Sequence, residues 1–234
     1  MAAALAAPGC RVNNIQFYNS EFPETETIPT IVFAALKSLP YFRTLGVGRL
    51  KHKIQPDDWI KIAEAISTSK IVNLDFYSTD KKSGITEAAW LKLADAVVAL
   101  DSLKSIGLGT LEQCKAFTER AQIKMAGACA VSKSLTGITL SRCSAKSRGG
   151  DGGIDMSEAA WFKFAEAIGR SGTLRTISLD HNPSITDAAW AKFAEALAAN
   201  KAFRSFNASE CGISEKAKAQ ILEAWGTRSG FVKF

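Results

Sequence analysis

Cysteine, histidine and serine are the residues best able to do covalent or metal chemistry, and here their spacing organises neither. The five cysteines, Cys10, Cys114, Cys129, Cys143 and Cys211, contain no Cys-x-x-Cys pair, and only His52 and His181 accompany them. Zinc needs a convergent set of such ligands, and a hydroxyl or thiol nucleophile needs a base within reach. Neither Gly-x-Ser-x-Gly nor His-Glu-x-x-His occurs. The Gly-rich run from Gly149 to Gly153 lacks the Gly-Lys-Ser/Thr of a phosphate loop, and Asp151 and Asp155 do not continue into a calcium loop. The expectation is a protein that is not an enzyme and holds no metal and no cofactor. An odd number of unpatterned cysteines fits reduced thiols and a cytoplasmic setting.

Surface groups remain, and charge picks out one set of them. The chain of 234 residues carries a net charge of +6, of which +5 falls within residues 101–150. Lys115, Arg120, Lys124, Arg142, Lys146 and Arg148 form this candidate patch for an anionic partner. A solvated helix and loop is the plainer reading of the same charges. A nucleic acid is disfavoured, because Phe117 is the one aromatic residue in that stretch and base stacking needs several. No apolar run approaches the roughly 20 residues that span a bilayer, so no membrane partner is expected.

The elements that position these groups follow from an internal repeat. IQPDDWIKIAEAI from Ile54, ITEAAWLKLADAV from Ile85, IDMSEAAWFKFAEAI from Ile154 and ITDAAWAKFAEAL from Ile185 align with one another. Between them an apolar pattern, L-x-x-L-x-L, recurs seven times, starting at Val12, Phe42, Ile71, Leu103, Leu135, Leu174 and Phe203. These starts lie 30, 29, 32, 32, 39 and 29 residues apart. The last two apolar positions alternate, as a strand buried on one face requires. Downstream, triplets such as Trp90, Leu93 and Val97 fall three and four apart, which makes one apolar helix stripe. Thr86, Thr186 and Ser214 stand at N-cap positions. Trp59, Trp90, Trp161 and Trp190 form one equivalent column expected in the core, and Lys218 replaces Trp in the last unit. The fourth helix is expected around residues 112–133, and Phe231 and Phe234 are expected to open an eighth, capping strand. Lys61/Glu64, Lys92/Asp95, Lys163/Glu166 and Lys192/Glu195 are expected to pair on the outer helix face.

This unit resembles the leucine-rich repeat family, and its length resembles the ribonuclease-inhibitor-like subclass. The resemblance covers residues 12–234, with residues 1–11 expected as a flexible N-terminus before a single domain. It implies an α/β horseshoe-shaped solenoid with a parallel sheet on the concave face and helices on the convex face. It also implies that Cys143, Asn182 and Cys211 satisfy backbone groups in the turns after the strands. Residues flanking the strand leucines then face the concave side. Of these, Tyr18, Asp75, Tyr77, Thr139, Ser141, Ser178, Asp180, Asn207 and Ser209 are the candidate contacts for a protein partner. Lys substitutions at Asp75 and Asp180 are expected to weaken binding without loss of stability. A column after the first strand leucine holds Arg43, Lys104, Arg175 and Arg204. The expected function is protein–protein interaction. A GTPase-activating role toward a small Ran-like GTPase, or a structural place in a larger assembly, is the alternative.

Overall fold

Each strand sits where apolar residues alternate with small polar ones, and each helix starts where a hydroxyl can cap it. A computed structural model of the chain describes residues 2–5, 7, 10–18, 28–39, 41–48, 54–77, 84–109, 116–141 and 156–234. The elements in chain order are α1 (Ala2–Leu5), β1 (Asn14–Tyr18), α2 (Ile28–Ser38), β2 (Thr44–Gly48), α3 (Pro56–Ser67), β3 (Asn73–Tyr77), α4 (Glu87–Ala99) and β4 (Ser105–Gly109). They continue as α5 (Glu119–Val131), β5 (Gly137–Thr139), α6 (Glu158–Arg170), β6 (Thr176–Ser178), α7 (Asp187–Ala199), β7 (Ser205–Asn207), α8 (Glu215–Trp225) and β8 (Phe231–Lys233). Among the described residues the strands make one sheet, all parallel, in the order β1 to β8. The fold is a parallel α/β solenoid. Strands stack about 4.8 Å apart and helices about 8–10 Å apart, so such a stack curves with its sheet on the inner side.

Register is kept by a repeated backbone device. The Arg43 carbonyl accepts both Val72 N (2.7 Å) and Asn73 N (2.9 Å), and the carbonyls of Lys104, Thr136 and Arg175 do the same for the strands that follow. Every strand therefore starts at the same height, and equivalent residues of successive units form straight columns across the sheet.

The core lies between the sheet and the helix layer. Leu74, Phe76, Ile106 and Leu108 from the strands join the helix stripes in one apolar cluster. The four expected column tryptophans are all at or below 1% exposure. Phe76 packs between two of them, with ring centroids 6.3 Å from Trp59 and 5.3 Å from Trp90. Removing one such ring costs about 3–5 kcal/mol, which places the tryptophans in packing and leaves none for a ligand.

Helix starts are tied across units. Thr86, Thr186 and Ser214 accept the N–H groups of Ala89, Ala189 and Ala217 at 3.2–3.3 Å, and Thr118 and Ser157 act likewise. Three of these hydroxyls also donate to a carboxylate opening the preceding helix: Thr118 to Glu87 (2.7 Å), Thr186 to Glu158 (2.5 Å) and Ser214 to Asp187 (2.8 Å). One side chain thus caps its own helix and bridges to its neighbour.

Three expectations change. α5 begins at Glu119, because Thr118 supplies the cap, and not near residue 112. Of the four outer pairs, Lys163–Glu166 (2.8 Å) and Lys192–Glu195 (2.6 Å) form within their helices. Lys61 instead meets Asp58 (3.4 Å), Lys92 reaches Glu64 on the preceding helix (3.9 Å), and Asp95 takes Lys124 from the next (2.7 Å). The capping strand forms, but in a different register. Val232 aligns with Phe206, which turns Phe231 onto the open side of the sheet at 53% exposure. Val232 and Phe234, not Phe231 and Phe234, pack against the core. No helix among the described residues is long and apolar enough to cross a membrane.

Candidate functional site

Strand residues that alternate with the core positions lie on the sheet side that no helix covers among the described residues. Gln16 is exposed, and Asp75, Thr139, Ser178 and Asn207 are half-buried. The strand pairing puts Gln16, Gly46, Asp75, Gly107, Thr139, Ser178, Asn207 and Lys233 in one column. Asp75 lies between two glycines in that column, so nothing beside it on the neighbouring strands blocks an approach along the face. Burial pushes its carboxyl above the usual range.

The residues expected to contact a partner group most tightly across β5 to β7. Ser141 donates to Asp180 Oδ1 (2.5 Å) and Ser178 donates to the same oxygen (2.6 Å). Asn207 Nδ2 donates to Ser178 Oγ (2.9 Å), and Ser209 Oγ donates to Asn207 Oδ1 (2.8 Å). Asp180 Oδ2 lies 3.1 Å from His181 Nδ1, and His181 Nε2 lies 2.7 Å from Glu210 Oε2. The ring therefore bridges two carboxylates at the outer ends of adjacent units. Burial works to raise the Asp180 pKa, but hydrogen bonds from Ser141, Ser178 and His181 outweigh it and hold the carboxyl below the usual range.

This geometry corrects one expectation. Asp180 is a structural acceptor, so replacing it with Lys would break a satisfied network and lower stability. The Asp75 side chain has no hydrogen bond or ion pair among the described residues and can be substituted without that loss. Thr139 sits between Gly107 and Ser178 as the next free position of the column. The backbones of Tyr18 and Tyr77 flank Gly48 in register, while their side chains lie outside the described residues.

Below the network, the turn residues behave as the repeat implies. Asn182 is fully buried and donates Nδ2 to the carbonyls of Leu140 (2.5 Å) and Leu179 (2.6 Å). Cys211 donates its thiol to Leu179 O (3.0 Å). His181 and Glu210, just before them, adopt φ of +59° and +56°. That left-handed turn is uncommon for non-glycine residues, and here it directs Asn182 and Cys211 inward. Cys143 lies outside the described residues.

The basic set is placed elsewhere. Arg120 and Lys124 lie on α5 in the helix layer, lining an open groove of about 500 Å³ with Leu91 and Ile123. Lys124 is held by Asp95. Lys115, Arg142, Lys146 and Arg148 lie outside the described residues. The basic column is turned to backbone: Arg175 donates to the carbonyls of Leu174 (2.9 Å) and Gly172 (3.0 Å), and Arg204 to that of Phe203 (3.2 Å). These guanidiniums close the turns before the strands while keeping their charge at the rim of the sheet.

A further column of the open face was not among the expected contacts: Asn14, Thr44, Asn73, Ser105, Gly137, Thr176 and Ser205. Asn73 donates to Thr44 Oγ1 (3.1 Å) and accepts from Ser105 (2.7 Å), so this column also carries hydrogen bonds across strands. Strand alternation alone marks it, because residues on either side of a core leucine share the opposite face. Among the described residues no group of three His, Cys, Asp or Glu is placed to hold a metal ion.

No family model matches this chain, and no curated protein does. Among solved structures it is similar to the actin-binding site 2 of leiomodin-1, with a TM-score of 0.49 and 11% sequence identity over 72% of this chain and 86% of that one. The fold assignment rests on the repeat and the sheet topology, not on this likeness.

Proposed function

We propose that this protein is a non-catalytic interaction module of the ribonuclease-inhibitor-like repeat type, which binds a protein partner on its open sheet face. One observation carries the reading: among the described residues, an eight-stranded parallel sheet has one side free of helices, lined with small polar groups around Asp75. Small side chains let a partner approach the backbone closely, and an unpaired carboxylate among them supplies a specific contact. A cytoplasmic setting belongs to the same reading, supported by free, buried Cys129 and Cys211. Burial raises the Cys129 thiol to about 12 and the Cys211 thiol to about 11, which suppresses their reactivity.

The test is affinity capture from the native cell with the wild type and with Asp75→Lys/Thr139→Lys. Loss of the same captured protein in the variant, with no fall in thermal stability, supports the reading. Retained capture moves the site off the sheet face. Acceleration of GTP hydrolysis by any member of a small-GTPase panel would transfer the reading to a GTPase-activating role.

A further inference from the structure

On the helix layer, cations sit against carboxylates: Lys124 on Asp95, Lys163 on Glu166, Lys192 on Glu195 and Lys218 on Glu215. Lys104, Arg120 and Arg175 make no ion pair among the described residues, and at the β7–β8 end several such cations come together. Lys201, Arg204, Arg228 and Lys233 make no ion pair among the described residues. No Asp or Glu occurs in residues 201–209 or 224–234. Of the acids that flank these stretches, Glu210 is turned to His181, as is Asp180, and Glu223 lies on α8 in the helix layer.

The two arginines are held in place, Arg204 by the Phe203 carbonyl (3.2 Å). Arg228 donates Nη2 to Leu197 O (2.7 Å) and Ala224 O (2.6 Å), and its guanidinium lies 5.4 Å from the Trp225 ring centroid. Its Nη1 is buried without a partner. Burial and the nearby Arg204 charge both lower the Arg228 pKa, which is what two like charges confined to one rim produce.

Phe231 stands among these charges. Its Cα pairs with that of Ser205, which directly follows Arg204, and Lys233 lies two residues further along the same side of β8. Alternate residues of a strand are about 6.6 Å apart. The exposed ring of Phe231 and the Lys233 cation therefore stand at the spacing of alternate side chains on β8, and Arg204 lies across the strand pair, one residue before Phe231's partner Ser205.

We propose that the β7–β8 end docks an acidic segment of a partner protein, with an apolar side chain against Phe231 and carboxylates on Arg204 and Lys233. The inference rests on the protein-binding reading above and narrows it to a partner chemistry and a place. An extended peptide with a carboxylate two residues from an apolar side chain matches the spacing of Lys233 and Phe231, and a further carboxylate meets Arg204 across the strand pair. A single-stranded nucleic acid needs a run of exposed aromatic rings for its bases, and this end offers one.

The probe is a fluorescein-labelled peptide alternating Glu and Ser around a central Phe. A second peptide has Ser at the centre, and an oligonucleotide of equal charge serves as competitor. By fluorescence anisotropy the wild type binds the Phe peptide at least tenfold more tightly than the Ser peptide. Phe231→Ala makes the two peptides equal, and Arg204→Glu/Lys233→Glu loses at least tenfold for both. Lys233→Glu alone, at an exposed residue whose side chain makes no hydrogen bond or ion pair among the described residues, repeats the loss at smaller size and guards against misfolding. No binding of the Phe peptide, equal binding by all variants, or tighter binding of the oligonucleotide each overturns the proposal. Should the peptide fail while Asp75→Lys/Thr139→Lys still abolishes capture, the acidic-segment inference falls and the sheet-face reading stands. Failure of both removes the reading itself.

Discussion

Asn182→Ala is the perturbation whose cost the structure fixes best. Its side chain is at 0% exposure and holds the carbonyls of Leu140 and Leu179, with a longer bond to that of Asp180 (3.3 Å). Leu179 O keeps a second donor, the Cys211 thiol at 3.0 Å, so its loss is partial. Leu140 O loses the side-chain donor that lies closest to it. An unsatisfied buried carbonyl costs about 1–3 kcal/mol and a weakened bond about 1 kcal/mol, and truncating the side chain adds a small cavity term. The expected loss is about 3 kcal/mol, or a fall in Tm of about 6–12 °C for a domain of this size. Urea unfolding followed by tryptophan fluorescence reads it, since four of the five tryptophans lie in the buried column. A solenoid also loosens locally, so amide exchange should rise between Leu140 and Cys211 while α3 and α4 stay protected. Asn182→Cys should recover part of the loss, because a thiol at the equivalent position of the next unit already donates one such bond. A loss below about 1 kcal/mol, or exchange rising evenly along the chain, would refute the idea that this side chain holds the turn.

Two carboxylates should respond to pH with opposite sign. Asp75 is raised by burial, so it destabilises the fold when ionised. Asp75→Asn should raise Tm at pH 7, and the gain should vanish as pH falls below the ordinary Asp range, where both states are protonated. Asp180 is lowered, so its contribution is complete above that range and is lost as pH falls through the folded value. Asp180→Asn should lower Tm at pH 7 and converge with the wild type in acid, both read by thermal melts from pH 2.5 to 7. Thr186→Ala removes the cap on Ala189 and the bridge to Glu158, and should cost about 1–2 kcal/mol in urea titrations. Gly230→Ala places a Cβ on the Arg204 carbonyl oxygen and 2.8 Å from the Trp225 ring. It should release β8, raising amide exchange at Phe231–Lys233 and exposing Trp225 to a fluorescence quencher.

The repeat made the architecture readable because its two periods, two and three-to-four, name a strand and a helix without any partner. The tryptophan column was readable for the same reason: a large ring on an apolar stripe has nowhere to go but the core. Side-chain pairings were not. Lys92 and Asp95 have the spacing to pair within α4, yet Glu64 on α3 and Lys124 on α5 take them, because flexible stems choose among neighbours that only the stacked helices bring near. Asp180 could be placed on the open face, but not its engagement by Ser141, which lies 39 residues away. The register of β8 is not legible in the sequence, because its short pattern offers two apolar frames. The clash-free frame seats Val232 opposite Phe206, with Gly230 against Arg204.

The central claim, that the open sheet face receives a protein partner, is tested most directly by site-specific photocrosslinking in the native cell. A benzophenone side chain at Thr139 samples the sheet face, and one at Lys192 samples the helix layer. The account predicts a discrete crosslinked protein from Thr139, suppressed by Asp75→Lys, and none of that species from Lys192. A partner captured from Lys192 and not from Thr139 would contradict it.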